Sequence, residues 1–196
     1  MKLLLVAVLS GFSTLAWAQS SSSPSAPADG TSSVKVTFVG GFDTEGEDRG
    51  RPVILIASAL NVAPQIFRDV FKGVHPAGPG SGGPTNAEAQ KSKQVLLAGL
   101  SKYGVTDERL NEVSNYYRYR RDSGEIWKHV DAEAVATVKD GQVIAVTVTN
   151  PGSGYSSPPT VTVPGVAKVD AKVILSYGTE LDKNGSVKEI TVNTTR

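Results

Sequence analysis

Four carboxylates fall within six residues at Asp43-Thr44-Glu45-Gly46-Glu47-Asp48. Hard oxygens at that density suit a calcium ion, which takes about six to eight of them. Asp43, Glu45, Glu47 and Asp48 are therefore the candidate metal ligands, although the EF-hand spacing, with alternating ligands and a glycine at its turn, is absent. Two of these acids facing each other across a cleft, about 5–10 Å apart, could instead act as acid and base on a glycosidic bond. The plainer reading is a solvated loop whose carboxylates pair with Arg49 and Arg51.

A second chemical stretch is Tyr116-Tyr117-Arg118-Tyr119-Arg120-Arg121, with Trp127 and Lys128 just beyond. Aromatic faces stack on sugar rings and arginines hold anions, so Tyr116, Tyr117, Tyr119, Arg118, Arg120 and Trp127 form the candidate ligand surface. The competing reading is a seam, where aromatic rings and long cationic stems join two parts of the fold. The two histidines, His75 and His129, lack the nucleophile elbow that a serine triad would need. The stretch Gly78-Pro79-Gly80-Ser81-Gly82-Gly83-Pro84 is no phosphate loop, because prolines remove amides and no lysine follows.

Composition narrows the setting. Lys2, an apolar run from Leu3 to Leu15 and Ala16-Trp17-Ala18 match a secretory leader cleaved before Gln19. Residues 19–33, rich in Ser, Pro and Ala, read as a disordered tether. No other stretch nears the ~20 apolar residues of a membrane span. The chain has no cysteine, which excludes disulfides, thiol catalysis and cysteine-held metals. Twenty basic against nineteen acidic residues give no electrostatic case for nucleic acid.

The elements that must position these residues change character near residue 130. Residues 34–39 alternate as one short strand. Four helices follow: one from Pro52, one from Pro64, one opened by a Thr85–Glu88 capping box, and one capped by Thr106. The third should run to Tyr103 and bury Ala89, Leu96, Leu97, Leu100 and Tyr103, with Gly104 as its left-handed stop. In the fourth, Leu110, Val113 and Tyr117 share the core face. Beyond Glu133 the period becomes two, giving about five antiparallel strands with a tight turn at Asp140-Gly141. Ile144, Val146 and Val148 should share one face. The fold class is α+β: a mainly helical domain over 34–130, then a β module over 131–196.

The β module repeats itself. Asp140-Gly141-Gln142-Val143-Ile144-Ala145-Val146-Thr147-Val148 returns, 44 residues later, as Asn184-Gly185-Ser186-Val187-Lys188-Glu189-Ile190-Thr191-Val192. The first copy runs on through Asn150-Pro151-Gly152-Ser153-Gly154-Tyr155-Ser156-Ser157-Pro158-Pro159-Thr160-Val161. It resembles a V-x-x-V-x-V, N-x-G-S-G-Y, P-T-V repeat of exported and phage-tail-like proteins. The second copy stops after Val192, making one and a half repeats. Arg49-Gly50-Arg51-Pro52-Val53, Lys102-Tyr103-Gly104-Val105-Thr106 and Glu112-Val113-Ser114-Asn115-Tyr116-Tyr117-Arg118-Tyr119 resemble a set of uncharacterised exported bacterial proteins. The repeat resemblance implies an architectural or binding module; the second resemblance carries no assigned function. The expectation is an exported, periplasmic or extracellular protein without catalysis or cofactor, and with a polysaccharide, wall polymer or protein as partner. The alternatives are a hydrolase of envelope polymers working through the 43–48 carboxylates, and a calcium-dependent binding module.

Overall fold

The computed structural model describes residues 30–74, 83–120 and 123–193. The leader, most of the tether, His75, residues 78–82 and Arg121 lie outside them. Among the described residues the order is β1 (Thr31–Lys35), β2 (Thr37–Val39), α1 (Val53–Ala59), α2 (Pro64–Phe71), α3 (Asn86–Leu100) and α4 (Asp107–Tyr116). Five strands follow: β3 (Glu133–Lys139), β4 (Gln142–Asn150), β5 (Thr160–Thr162), β6 (Ala171–Ser176) and β7 (Ser186–Val192). The protein is α+β, with helices early and antiparallel strands mostly late.

Local chemistry sets the helix ends. Thr85 Oγ1 accepts from the Glu88 amide while the Glu88 carboxylate accepts from the Thr85 amide, closing the capping box. Thr106 Oγ1 accepts from the Arg109 amide. Helix α3 gives way at Ser101–Tyr103 to a 3-10 turn that Gly104 ends at φ 85°. That tightened turn carries Tyr103 away from the core, so it is 43% exposed, with Lys102 Nζ over its ring. Ala89 is also exposed, and only Leu100 of the five expected residues is fully buried. Leu110 and Val113 of α4 and Tyr117 at its C-cap are buried as their spacing requires.

The single strand expected over 34–39 is two, and it belongs to the β half. β1 pairs with β3, β2 pairs with β5, and the buried Val36 between them is where the chain changes partner. β1 begins at Thr31, inside the stretch read as tether. The β3–β4 and β6–β7 hairpins, with β2 and β5, enclose one apolar interior of Val36, Ala134, Ala136, Val143, Val161, Val173 and Val187. A second core gathers Leu55, Phe67, Leu100, Leu110, Val113, Tyr117 and Trp127 between the helices.

The repeat is structural as well as sequential. Asp140 (φ 50°) and Gly141 (φ 74°) make the left-handed pair of a tight hairpin turn. Thr137 lies opposite Ala145 but Val138 opposite Val143, so Ile144 is an extra, bulged residue. In the second copy Ile174 lies opposite Glu189 but Leu175 opposite Val187, so Lys188 is bulged. Both bulges follow a buried valine, Val143 and Val187. The bulge turns Ile144 outward, 44% exposed, rather than onto the face of Val146 and Val148 as alternation predicts. Lys188 already shows what this position tolerates. Ile144→Lys is expected to change stability by no more than about 0.5 kcal/mol in urea denaturation. Val143→Lys should prevent folding, since it would bury an unpaired charge.

Candidate functional site

The residues after the first strand of the repeat turn sharply inward. A Cβ on Gly152 (φ 59°) would lie 2.4 Å from Val130 O and 2.7 Å from Ala132 N, so only glycine allows this approach. Ser153 and Val130 exchange backbone hydrogen bonds at 3.0 and 2.9 Å. Trp127 Nε1 donates to Gly154 O at 2.8 Å, and the buried Tyr155 hydroxyl accepts from Ala132 N at 2.9 Å. The corner rests on the second copy's turn: Gly154 N donates to Asn184 O and Tyr155 N to Gly185 O. One copy of the repeat therefore seats the other.

The corner's exit, Ser156-Ser157, holds the acidic loop. Both amides donate to Gly41 O, and Ser156 Oγ donates to Asp43 O at 2.6 Å. Ser157 Oγ accepts from Asp43 N at 3.0 Å and donates to Asp43 Oδ2 at 3.2 Å. The loop's far end is a 3-10 turn at Gly46–Asp48. There the Asp48 carboxylate, only 4% exposed, takes a two-pronged bond from Arg68 of α2: Nε to Oδ1 and Nη2 to Oδ2, both 2.8 Å. This bond raises the Arg68 pKa above the ordinary arginine value despite opposing desolvation. Glu47 adds a 3.3 Å contact from its exposed side. Arg51 lies over the Phe71 ring at 4.6 Å and donates to Asp48 O.

These stretches leave a groove of about 500 Å³ between them. Asp43, Glu45, Glu47 and Asp48 form one wall, and Ser156 and Ser157 another. Arg51, Pro52, Val53 and Ile54 around the start of α1, with Pro64 and Arg68 of α2, add the rest of the lining. Arg68, Ser156 and Ser157 were passed over in the sequence. The signal for Arg68 was thin: an arginine among Ile66, Phe67, Val70 and Phe71 needs an acid to enter a core.

The four acids do not converge on a cation. Among the described residues no three His, Cys, Asp or Glu side chains could hold one metal ion. The Asp48 carboxylate is engaged on both oxygens by Arg68, and Asp43 Oδ2 accepts from Ser157 Oγ.

The aromatic-basic run divides between core and surface. Tyr117 and Trp127 are buried and present no face to a ligand, a correction to the surface reading. Burial is where their polar ends find partners, Asn184 for Tyr117 and Gly154 for Trp127. The half-buried Tyr119 donates to Gly50 O and meets the Trp127 ring edge-on at 5.7 Å. The half-buried Tyr116 carries Lys128 Nζ 4.6 Å over its ring. Arg118 and Arg120 are exposed, Arg118 bonding Asn115 Oδ1 at 3.0 Å. His129 leans on Phe42, with ring centroids 4.7 Å apart, and its Nδ1 lies 3.1 Å from Trp127 O.

Burial also marks the seam in its titration. Desolvation pushes both Tyr117 and Tyr177 from 10 up to about 12. An unfolded tyrosine loses its proton near 10, so from there upward the unfolded chain binds fewer protons than the folded one. Stability is therefore whole below pH 10 and falls as pH rises toward 12. Spectrophotometric titration of the folded protein should show Tyr117 and Tyr177 among the late-ionising phenols, together with loss of structure. Comparisons with protein-family models, curated proteins and solved structures find no match to this chain.

Proposed function

We propose that this is an exported structural or interaction protein of the cell envelope or extracellular space, and that the groove beside the 43–48 loop receives its partner. The observation that carries this is the groove itself. Three separated stretches meet there, with Asp43, Asp48, Arg68, Ser156 and Ser157 already held by hydrogen bonds, so binding need not order these five. Four carboxylates against two arginines leave the lining net negative over an apolar floor of Ile54, Val53 and prolines. That lining suits a protein segment presenting a basic side chain beside an apolar one. Export rests on the leader-like sequence before Gln19.

Glu45→Lys with Glu47→Lys changes two exposed groove side chains and should leave the fold intact. Binding of the full chain to purified envelope proteins should weaken at least about tenfold, since reversed charges meet the partner's own. Unchanged binding by the variant would remove the groove from the function. Binding to isolated wall polymer instead, equally sensitive to the variant, would keep the groove and change the partner.

A second reading is favoured by the carboxylates of Asp43, Glu45 and Glu47 lining a cleft: hydrolysis of an envelope polymer. It requires soluble fragments to be released from wall polymer by the wild-type protein and not by Asp43→Asn or Glu45→Gln.

A further inference from the structure

Asn184-Gly185 carries reactive chemistry that the fold suppresses. In a flexible chain the glycine amide nitrogen, unhindered by a side chain, attacks the asparagine side-chain carbonyl. Here both reacting groups are held. Asn184 is 1% exposed, and its Nδ2 donates to Leu55 O and to the Tyr117 hydroxyl, both at 2.8 Å. Its Oδ1 accepts from Gly178 N at 3.1 Å. The nucleophile, Gly185 N, gives its proton to Ser176 O at 2.9 Å. Space is closed too: a Cβ on Gly185 would meet Tyr155 O at 2.5 Å and Leu55 Cδ2 at 2.6 Å. The backbone cannot swing through the geometry that attack needs. The matching Asp140-Gly141 turn of the first copy is exposed and has no such enclosure.

We propose that Asn184-Gly185 is a conformation-gated modification site, sealed in the folded protein and self-converting once this turn opens. Gly185 N bonds to Asn184 Cγ and loses its proton; the bond from Cγ to the side-chain nitrogen breaks, and ammonia leaves. The resulting succinimide takes up one water at either carbonyl, opening to aspartate or isoaspartate without change of oxidation state. The product cannot restore the seal. A carboxylate has no N–H for Leu55 O or Tyr117, and it would bring an unpaired charge into a buried site. Isoaspartate also lengthens the backbone at the residues that hold Gly154 and Tyr155. Opening thereby becomes irreversible.

The test incubates the full chain at mildly alkaline pH across a urea series and follows residue 184 by peptide mass mapping. Conversion should track the unfolded fraction, and in the folded protein it should be slower by on the order of 10³ or more. After urea is removed, unconverted chains should regain native circular dichroism and melting, and converted chains should not. Three results would each overturn the proposal: conversion of the folded protein within about tenfold of the unfolded rate, no conversion at residue 184 in urea, or native refolding of the converted chain.

Discussion

Asn184→Ala is expected to destabilise the fold by about 3–5 kcal/mol, lowering the melting temperature by about 10 °C or more. The amide serves three partners at once: the buried Leu55 O in α1 and Tyr117 hydroxyl at the end of α4, and the half-buried Gly178 N after β6. Removing it leaves all three without that bond, and the two buried ones, Leu55 O and the Tyr117 hydroxyl, without water to replace it. The joint lost is the one between the two halves of the chain, since Leu55 and Tyr117 belong to the helical core and Gly178 to the loop between β6 and β7. Tyr117→Phe deletes one of the three bonds and keeps the ring packing. It should cost about 1 kcal/mol. Thermal melts of the two variants side by side give the ratio. Similar losses from both would mean that the single bond between Asn184 and the Tyr117 hydroxyl carries the joint, and that the bonds to Leu55 and Gly178 add little.

Arg68→Met is expected to cost about 3–5 kcal/mol, because it strands the buried Asp48 carboxylate. Asp48→Leu with Arg68→Met should recover most of that loss, as apolar pairs of similar volume replace buried ion pairs at little cost. Arg68→Lys keeps the charge but loses the fork that meets Oδ1 and Oδ2 together, and it should fall between the two. Urea denaturation should show these differences persisting in added salt, which screens exposed pairs far more than a buried one. A double variant no better than Arg68→Met would place the energy in the shape of the groove wall and not in charge pairing.

What could be read in advance was local. The Thr85–Glu88 box, the Thr106 cap, the Gly104 stop and the Asp140-Gly141 turn each depend on residues within one turn of chain. The features that escaped depend on partners far along the sequence. Alternation over 34–39 cannot reveal that Val36 divides two ladders, because the division is made by β3 and β5. A bulge is likewise a mismatch between strands, and so Ile144 read as inward. The candidate site shows the same limit. Its acids stood out as a run, but Arg68 meets Asp48 across 20 residues and Ser157 meets Asp43 across 114. Asn184 stood out only as the turn residue of the second repeat copy, yet it reaches Leu55 across 129 residues and is enclosed.

The divided first strand also sets a timetable. Thr31 waits for Lys139, and Thr37 waits for Thr162, so the two earliest strands find their partners more than about 100 residues later in the chain. Until then the chain cannot close its β interior around Val36. Contacts this distant make for slow, late folding.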